Sequence, residues 1–324
     1  MKKVRKISKE FAEAFKQSEL YKLYGEHDDE LFIGVRNNYL NLYYNCDSIA
    51  RIEYKKRKKK LKCVIDRYYI DGKHYNVNDK NKRDKIDPKE IYRQYEVIKT
   101  HSDDRDVKEF KAQSKLVLLN NQNLDSNWFC IDIEYVKPFN SIEEKEKVNF
   151  RTRFDIIALS KKKPHRVALI ELKYGGGSIG GESGIYKHVG DFDNFLKKGY
   201  FEEHLKHDII GIVESQKNLG ITLPFESFEQ SDLMQEPEFY FIVLNNNAKN
   251  ERASTPKQTL AGYLFKEERW GTKKLAKKSV EEEFGDITEK YNKLFVTFLF
   301  SKQTLENLAI TDIINGNYDE RIPE

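Results

Sequence analysis

The chain has 324 residues, of which 39% are hydrophobic and 34% are charged, and its formal net charge is +4. This length suits one large domain or two ordinary ones. No apolar run approaches the roughly 18 residues that span a bilayer, and the basic start Met1–Lys6 lacks the apolar segment of a secretory signal. The cysteines are scattered without a CxxC pair, which argues against a disulfide framework and against a zinc site. We therefore expect a folded, cytoplasmic protein with no membrane partner.

Positive charge is concentrated near the start of the chain. Residues 1–100 carry 25 Lys and Arg against 16 Asp and Glu, whereas the remaining residues carry 32 against 37. The densest basic run consists of Lys55, Lys56, Arg57, Lys58, Lys59 and Lys60. A basic region of this kind is typical of a protein that binds a polyanion. We predict that the run contacts nucleic acid, and the alternative is a solvated hairpin tip.

The predicted elements of the N-terminal region are one helix and a small antiparallel meander. Ser8 suits the N-cap of an amphipathic helix over 8–24. From Leu31 to Tyr75, runs rich in Val, Ile and Tyr alternate with turn residues, which predicts several short strands. Residues 76–90 are polar and lack periodicity, which predicts a linker. We therefore expect a basic, β-rich N-terminal module over 1–100 and a second domain over 101–324.

The second domain is predicted to begin as a helix, three strands, a helix and a strand. Helical periodicity covers 88–98 and 103–122. The strand patterns that follow are Trp128–Val136, Asn149–Leu159, Arg166–Tyr174 and Glu238–Leu244. Helices are predicted between the last two of these strands over Ile185–Leu196 and His204–Gln216. The C-terminal extension is predicted to contain helices over Lys273–Glu283 and Thr304–Ile314 and an aromatic strand over Leu294–Phe300.

Acidic residues interrupt two of these apolar runs. Asp155 lies in one run, and Glu171 and Lys173 lie in the next, where a period of two places them on the same face. If the two runs form a hairpin in which Leu159 pairs with Val167, Asp155 falls opposite Glu171. Burying such charges without partners is costly, and a divalent metal ion with oxygen ligands would relieve the repulsion. The alternative is a surface salt bridge among the three side chains.

This arrangement resembles the PD-(D/E)XK superfamily of nucleases, also called restriction-endonuclease-like. The resemblance rests on Asp155 followed by Glu171-Leu172-Lys173 on consecutive strands after a helix, and it covers roughly residues 103–245. Phe154 stands where the name of the motif has proline. The resemblance implies an α/β fold with an αβββαβ core and a mixed sheet, to which the smaller β-rich N-terminal module is added.

The resemblance also implies a catalytic site. Asp155, Glu171 and the backbone carbonyl of Leu172 would bind Mg²⁺ or Mn²⁺. Lys173 would orient the attacking water or stabilise the charge that grows on the phosphate.

Further candidates follow from variation within the superfamily. Glu109 is the candidate for an acid on the helix before the first strand, and Glu134 on the first strand is a further candidate ligand. A polar residue on the helix after the lysine strand would be His188 or Lys187, and we include His188 among the catalytic candidates.

The glycine-rich loop over 175–184 allows two interpretations. It holds six of the 17 glycines and leads into a predicted helix N-terminus, where backbone amides can approach a phosphate. It lacks the order GxxxxGK[ST], so a nucleotide-binding P-loop is not expected. The alternative is a flexible connector.

We therefore predict a cytoplasmic nuclease that uses Mg²⁺ or Mn²⁺ and acts on nucleic acid, with DNA favoured over RNA. Restriction, defence or mobile-element processing would suit the resemblance. The alternative is a non-catalytic nucleic-acid-binding protein on a nuclease-like fold. A protein-interaction module would leave the basic N-terminal region without a role. The sequence is compatible with a homo-oligomer as well as with a monomer.

Overall fold

The chain folds into mixed α/β structure with two sheets. The computed structural model describes residues 4–136, 153–175, 185–225, 227–245, 296–318 and 320–321. Among the helices within these ranges, none has the length and apolar character needed to cross a membrane.

The first sheet is an antiparallel meander whose strands follow one another in chain order. Its described strands are β1 (Leu31–Val35), β2 (Tyr39–Tyr44), β3 (Asp47–Lys55), β4 (Lys60–Asp66) and β5 (Arg83–Ile86). The predicted meander is confirmed up to Asp66, whereas Tyr68–Asp71, which were predicted to belong to it, form a short helix. Asn38 makes the turn after β1 with a positive φ of 60°. The predicted linker over 76–90 is wrong at β5, which pairs with β4. This strand is mostly charged and exposed, as edge strands often are, so it shows no apolar alternation.

Short helices accompany this sheet. They are α1 (Lys9–Lys16), α2 (Glu19–Glu26), α3 (Tyr68–Asp71), α4 (Pro88–Arg93) and α5 (Tyr95–Asp103). Ser8 caps α1 as predicted, because its Oγ accepts a hydrogen bond from the Phe11 N–H at 3.3 Å. The prediction of one helix over 8–24 is wrong, since the helix ends before Ser18. The Ser18 hydroxyl donates to the Phe15 carbonyl at 2.7 Å, and such local side-chain bonds compete with helix continuation.

The second sheet has, among the described residues, the strand order β11-β10-β9-β8-β7-β6. Its strands are β6 (Trp128–Val136), β7 (Arg153–Ser160), β8 (Val167–Tyr174), β9 (Glu238–Leu244), β10 (Val296–Phe300) and β11 (Glu320–Arg321). β6, β7 and β8 are antiparallel neighbours, whereas β8, β9 and β10 run parallel, so the sheet is mixed. The helix α6 (Lys108–Gln122) precedes β6, and α7 (Ile185–Lys197) and α8 (Lys206–Asn218) connect β8 to β9. Among the described residues, the predicted helices and strands of this region occur in the predicted chain order. The restriction-endonuclease-like core and membership of the superfamily stay predictions.

The C-terminal segment differs from its prediction. The predicted helix over Thr304–Ile314 is wrong, because these residues form turns and irregular backbone. Side-chain bonds hold the turns, including one from the Thr304 N–H to Asn307 Oδ1 at 2.6 Å. The strand predicted over Leu294–Phe300 is confirmed at 296–300 by β10, and its first two positions lie outside the described residues. The helix predicted over Lys273–Glu283 and positions 149–152 of a predicted strand lie outside the described residues.

Both faces of the second sheet are covered. Ile157 lies on the face whose core includes Phe11 of α1 and Phe192 of α7. Ile170 lies on the opposite face and packs in a core with Leu116 of α6. The first of these cores runs without interruption from the N-terminal helices into the second sheet. The predicted division into two domains at residue 100 stays a prediction.

A buried aspartate joins the two sheets. Asp132 of β6 is fully buried, and its carboxylate accepts hydrogen bonds from the guanidinium groups of Arg5 and Arg36 at 2.6 Å each. Arg36 follows β1 and also donates to the Ile133 carbonyl at 2.7 Å, while Arg5 also donates to the Val136 carbonyl at 2.8 Å. These contacts fix the N-terminal segment and the end of β1 against β6.

The N-terminal segment also lies against α8. The Arg5 N–H donates to Asp208 Oδ1 at 2.8 Å, and the Ile7 N–H donates to Ser215 Oγ at 3.1 Å. Between them on the same helix is Gly211, where a Cβ would lie 2.6 Å from the Arg5 carbonyl oxygen. Glycine is therefore required for this close approach.

Replacing Asp132 with alanine should lower the free energy of unfolding by about 3–5 kcal/mol, because two buried guanidinium groups would lose their carboxylate. Denaturant unfolding followed by circular dichroism measures the loss. Asp125→Ala removes an exposed carboxylate just before β6 and should change stability by less than about 0.5 kcal/mol. Equal effects of the two substitutions would contradict the role of Asp132.

Candidate active site

The hairpin of β7 and β8 brings two carboxylates together. Its ladder runs from Leu159–Val167 to Ile156–Ile170, as predicted, so the next position places Asp155 beside Glu171. Asp155 Oδ2 accepts a hydrogen bond from the Leu172 N–H at 2.9 Å. Both acids are buried, with 6% of Asp155 and 4% of Glu171 exposed.

Two potential cations converge on one oxygen of Glu171. The Lys173 Nζ lies 2.6 Å from Glu171 Oε1, and the His188 Nε2 lies 3.1 Å from the same atom. Lys173 is only 6% exposed, so the alternative of a surface salt bridge does not hold. His188 enters from the first turn of α7, whereas the side chain of Lys187 lies outside the described residues.

Glu134 extends the acidic cluster onto a third strand. It lies between Ile133, which pairs with Ile156, and Tyr135, which pairs with Phe154, and it therefore stands across from Asp155. Its φ of 52° is unusual for a residue other than glycine.

Glu109 reaches the same region from α6. Its Oε2 accepts a hydrogen bond from the Tyr174 N–H at 3.3 Å, at the end of the lysine strand. Both additional acids suggested by the sequence are therefore close to the Asp155–Glu171 pair.

Gln113 is part of the site, although sequence reasoning missed it. It is buried on α6, and its Nε2 donates to the Asp155 carbonyl at 2.7 Å and to Glu134 Oε1 at 3.3 Å. Arg153 donates to the other oxygen of Glu134. The signal was present, because Gln113 follows Glu109 by four residues and so shares its helix face.

Burial and repulsion raise the pKa values of the clustered acids. Burial, followed by the charge of Glu171, raises the pKa of Asp155 to about 8. Burial raises the pKa of Glu134 to about 7 against the opposing effect of Arg153. Burial also raises the pKa of Glu171 despite the nearby Lys173. The electrostatics of the site therefore favour an added cation.

The donor chemistry fits a hard divalent ion. Within the described ranges, no three Asp, Glu, His or Cys side chains form a group able to hold a metal ion by themselves. Magnesium is commonly held by one or two carboxylates with water and substrate phosphates. Asp155 and Glu171 supply the carboxylates. The N–H and C=O of one strand residue face the same side, so the Leu172 carbonyl lies on the side of Asp155.

The basic run lies in the hairpin between β3 and β4. Residues Lys56–Lys58 form a single 3₁₀ turn, and Lys59 has a positive φ of 46°. The run is exposed, as a solvated tip would be, but most of it also lines a groove of about 600 Å³.

The glycine-rich loop lies almost wholly outside the described residues. Its first residue, Gly175, has a positive φ of 68°, and its N–H donates to the Leu244 carbonyl at 2.9 Å. Both interpretations of the loop stay predictions.

Comparison with known proteins finds no matching family model, no matching curated protein and no matching solved structure. Function is therefore inferred from the residues and geometry of this chain alone.

The variant Asp155→Asn should be more stable than the wild type at alkaline pH when divalent ions are removed. The folded protein keeps the proton of Asp155 up to about pH 8. The unfolded chain releases this proton near pH 4, so wild-type stability falls as the pH rises between these two values. Asparagine removes that cost while keeping an oxygen acceptor for the Leu172 N–H.

We expect the stability difference to be small at pH 4 and to reach on the order of 1–3 kcal/mol at pH 9. Urea unfolding in EDTA across this pH range measures it, with Asp125→Asn as an exposed control. A difference that does not vary with pH would rule out the raised pKa of Asp155.

Proposed function

We propose that the protein is a metal-dependent nuclease with a restriction-endonuclease-like core, which hydrolyses phosphodiester bonds in nucleic acid in the cytoplasm. The observation that carries the proposal is the buried meeting of Asp155, Glu171 and Lys173 on adjacent strands. DNA is favoured over RNA as the substrate. A role in restriction, defence or mobile-element processing stays a prediction.

The arrangement of elements supports this proposal. The described elements α6, β6, β7, β8, α7 and β9 follow the αβββαβ order, with α8 as an additional helix before β9, and β6 to β9 are neighbours in one mixed sheet. Asp155 and Glu171 lie on β7 and β8, the central strands of this unit, where the flanking strands hold them in place.

The residues of the site suit phosphodiester hydrolysis. Asp155, Glu171 and the Leu172 carbonyl would hold Mg²⁺ or Mn²⁺, which neutralises phosphate charge and helps to activate water. Lys173 presents a fixed positive charge beside Glu171, where it can stabilise charge that develops on the phosphate. His188 contacts the same carboxylate oxygen and thereby orients Glu171.

The second candidate function is nucleic-acid binding without cleavage, which the basic groove favours. Binding alone does not require buried acids of raised pKa, and such acids reduce stability. Natural proteins usually tolerate that kind of cost at sites where activity needs it. The acidic cluster therefore favours the nuclease.

Alanine at Asp155 or at Glu171 should abolish cleavage, because either change removes a carboxylate from the proposed ion site. The measurement is cleavage of single-stranded and duplex DNA and RNA with Mg²⁺ or Mn²⁺, with EDTA as a blank. Glu236→Ala removes an exposed carboxylate before β9 and should cut at the wild-type rate. Full activity of either site variant would refute the assignment.

Lys173→Ala should separate catalysis from binding. Losing one preorganised donor should slow cleavage by roughly 100- to 1000-fold while nucleic acid still binds. Lys173→Arg keeps the charge but changes its shape, so we expect partial rescue. Single-turnover cleavage and manganese titration of both variants provide the test. If Lys173→Ala cleaves at the wild-type rate, Lys173 has no role in catalysis and serves only as a buried counter-ion of Glu171.

A further inference from the structure

A concave basic groove lies beside the tip of the first sheet. Its volume is about 600 Å³, within the range of sites that hold small ligands. Among the described residues, its lining contains seven Lys or Arg side chains and one acid, Asp87. The basic run predicted from the sequence supplies most of these charges, and Lys62 and Lys85 add to them from β4 and β5. This excess of positive charge favours the binding of a polyanion.

The cations of the groove are available for a ligand. In the part of the chain that the structure describes, Lys58, Lys60 and Lys85 form no ion pair, and all three are exposed. Lys55 differs, because its Nζ lies 2.5 Å from Glu53 Oε2. Most of the positive charge is therefore not neutralised within the protein.

The groove also has an apolar part. Tyr54 and Leu61 are direct neighbours across the β3–β4 ladder, and Ile86 of β5 completes the apolar lining. Alternation along the strands places these three side chains on one face of the sheet and Lys60 and Lys85 on the other, so the groove curves around the edge of the sheet. Tyr54 is half-buried, and its ring stacks on the buried Phe11 at a centroid distance of 5.9 Å and an interplanar angle of 19°. A ring that is supported from behind in this way loses little freedom when a second ring packs against it.

These two features together identify the ligand. A duplex presents phosphates and sugars on its outside and keeps its bases stacked within, so it would leave the apolar part unfilled. A chain of unpaired nucleotides offers phosphates to the lysines and a base to the tyrosine ring, which is the usual combination in single-strand binding. We infer that the groove binds single-stranded nucleic acid, with a base packed against Tyr54 and the flanking phosphates on Lys58, Lys60 and Lys85.

The inference deepens the proposed function, on which it rests only in taking nucleic acid as the ligand. β1 lies beside β6, whereas the groove is built by β3, β4 and β5 at the other side of the first sheet. With strands spaced about 4.8 Å apart, the single-stranded segment would be held on the order of 15 Å or more from the acidic cluster. The substrate would therefore carry unpaired nucleotides away from the point of cleavage.

The test measures binding in the full chain carrying Asp155→Ala, in EDTA, so that nothing is cut. The probes are labelled oligothymidylate of about 16 nucleotides, at the upper end of single-strand site sizes, and a duplex of the same length at the same salt concentration. We expect the oligothymidylate to bind more tightly. Tighter binding of the duplex, or equal competition by polyglutamate, would overturn the inference.

The charge contribution is tested with matched pairs. Lys58→Gln with Lys60→Gln should weaken oligothymidylate binding and reduce the slope of log affinity against log salt by about 0.7 for each phosphate that is no longer neutralised. Lys73→Gln with Lys80→Gln makes the same charge change at exposed positions outside the groove and should have little effect. Equal effects of the two pairs would overturn the groove as the site.

The stacking contribution is tested at Tyr54. Tyr54→Leu keeps apolar volume but removes the ring, and should weaken oligothymidylate binding by about 5- to 100-fold without changing duplex binding. Tyr54→Phe keeps the ring and should bind as the parent does. Unchanged binding by a folded Tyr54→Leu variant would overturn the inference, and the lysine pairs decide it if that variant does not fold.

Failure of this inference can be told apart from failure of the nuclease. Groove-dependent binding by a protein that cuts nothing would uphold the inference and overturn the nuclease. Cleavage that depends on Asp155, together with binding that does not change when Tyr54, Lys58 and Lys60 are substituted, would uphold the nuclease and overturn the inference.

Discussion

The pairing of Asp132 with two arginines is the interaction on which the arrangement of the molecule depends. A buried carboxylate is tolerated only when it has partners, and a buried guanidinium has the same requirement. Arg5 comes from the start of the chain and Arg36 from the end of β1, so both segments must meet β6 for any of these charges to be buried. This requirement fixes the first sheet against the second.

The same contacts affect the acidic cluster. Arg36 binds the Ile133 carbonyl and Arg5 binds the Val136 carbonyl, so the backbone is held on both sides of Glu134. The β6–β7 register also shifts just before Asp132, and such irregularities change which way the following side chains point. The N-terminal region therefore helps to position an acid beside Asp155, besides contributing the basic groove.

Much of the second sheet could be predicted from the sequence, because its strands are nearly continuous apolar runs. Asp155, Glu171 and Lys173 stood out because they interrupt those runs, and the register followed from pairing Leu159 with Val167. These are local signals, which periodicity and spacing record directly.

What the sequence did not reveal depends on long-range contacts or on weak local signals. No spacing relates Arg5 and Arg36 to Asp132, because they meet only when the sheets pack. β5 was missed because its charged residues give no apolar alternation, and the helix expected over Thr304–Ile314 was wrong because side-chain hydrogen bonds replace helical ones. Gln113 was missed because its only signal is its position four residues after Glu109, and that position has no meaning until Glu109 is known to lie at the site.

The charged edge strand β5 bears on self-association. An edge strand offers unpaired backbone groups to which another chain can add a strand. β5 presents Arg83, Asp84 and Lys85 as exposed side chains at this edge, and charges there oppose the addition of a further strand. Two copies of the protein are therefore discouraged from joining their first sheets into one continuous sheet through β5. A homo-oligomer is therefore expected to form through a surface other than this edge of β5.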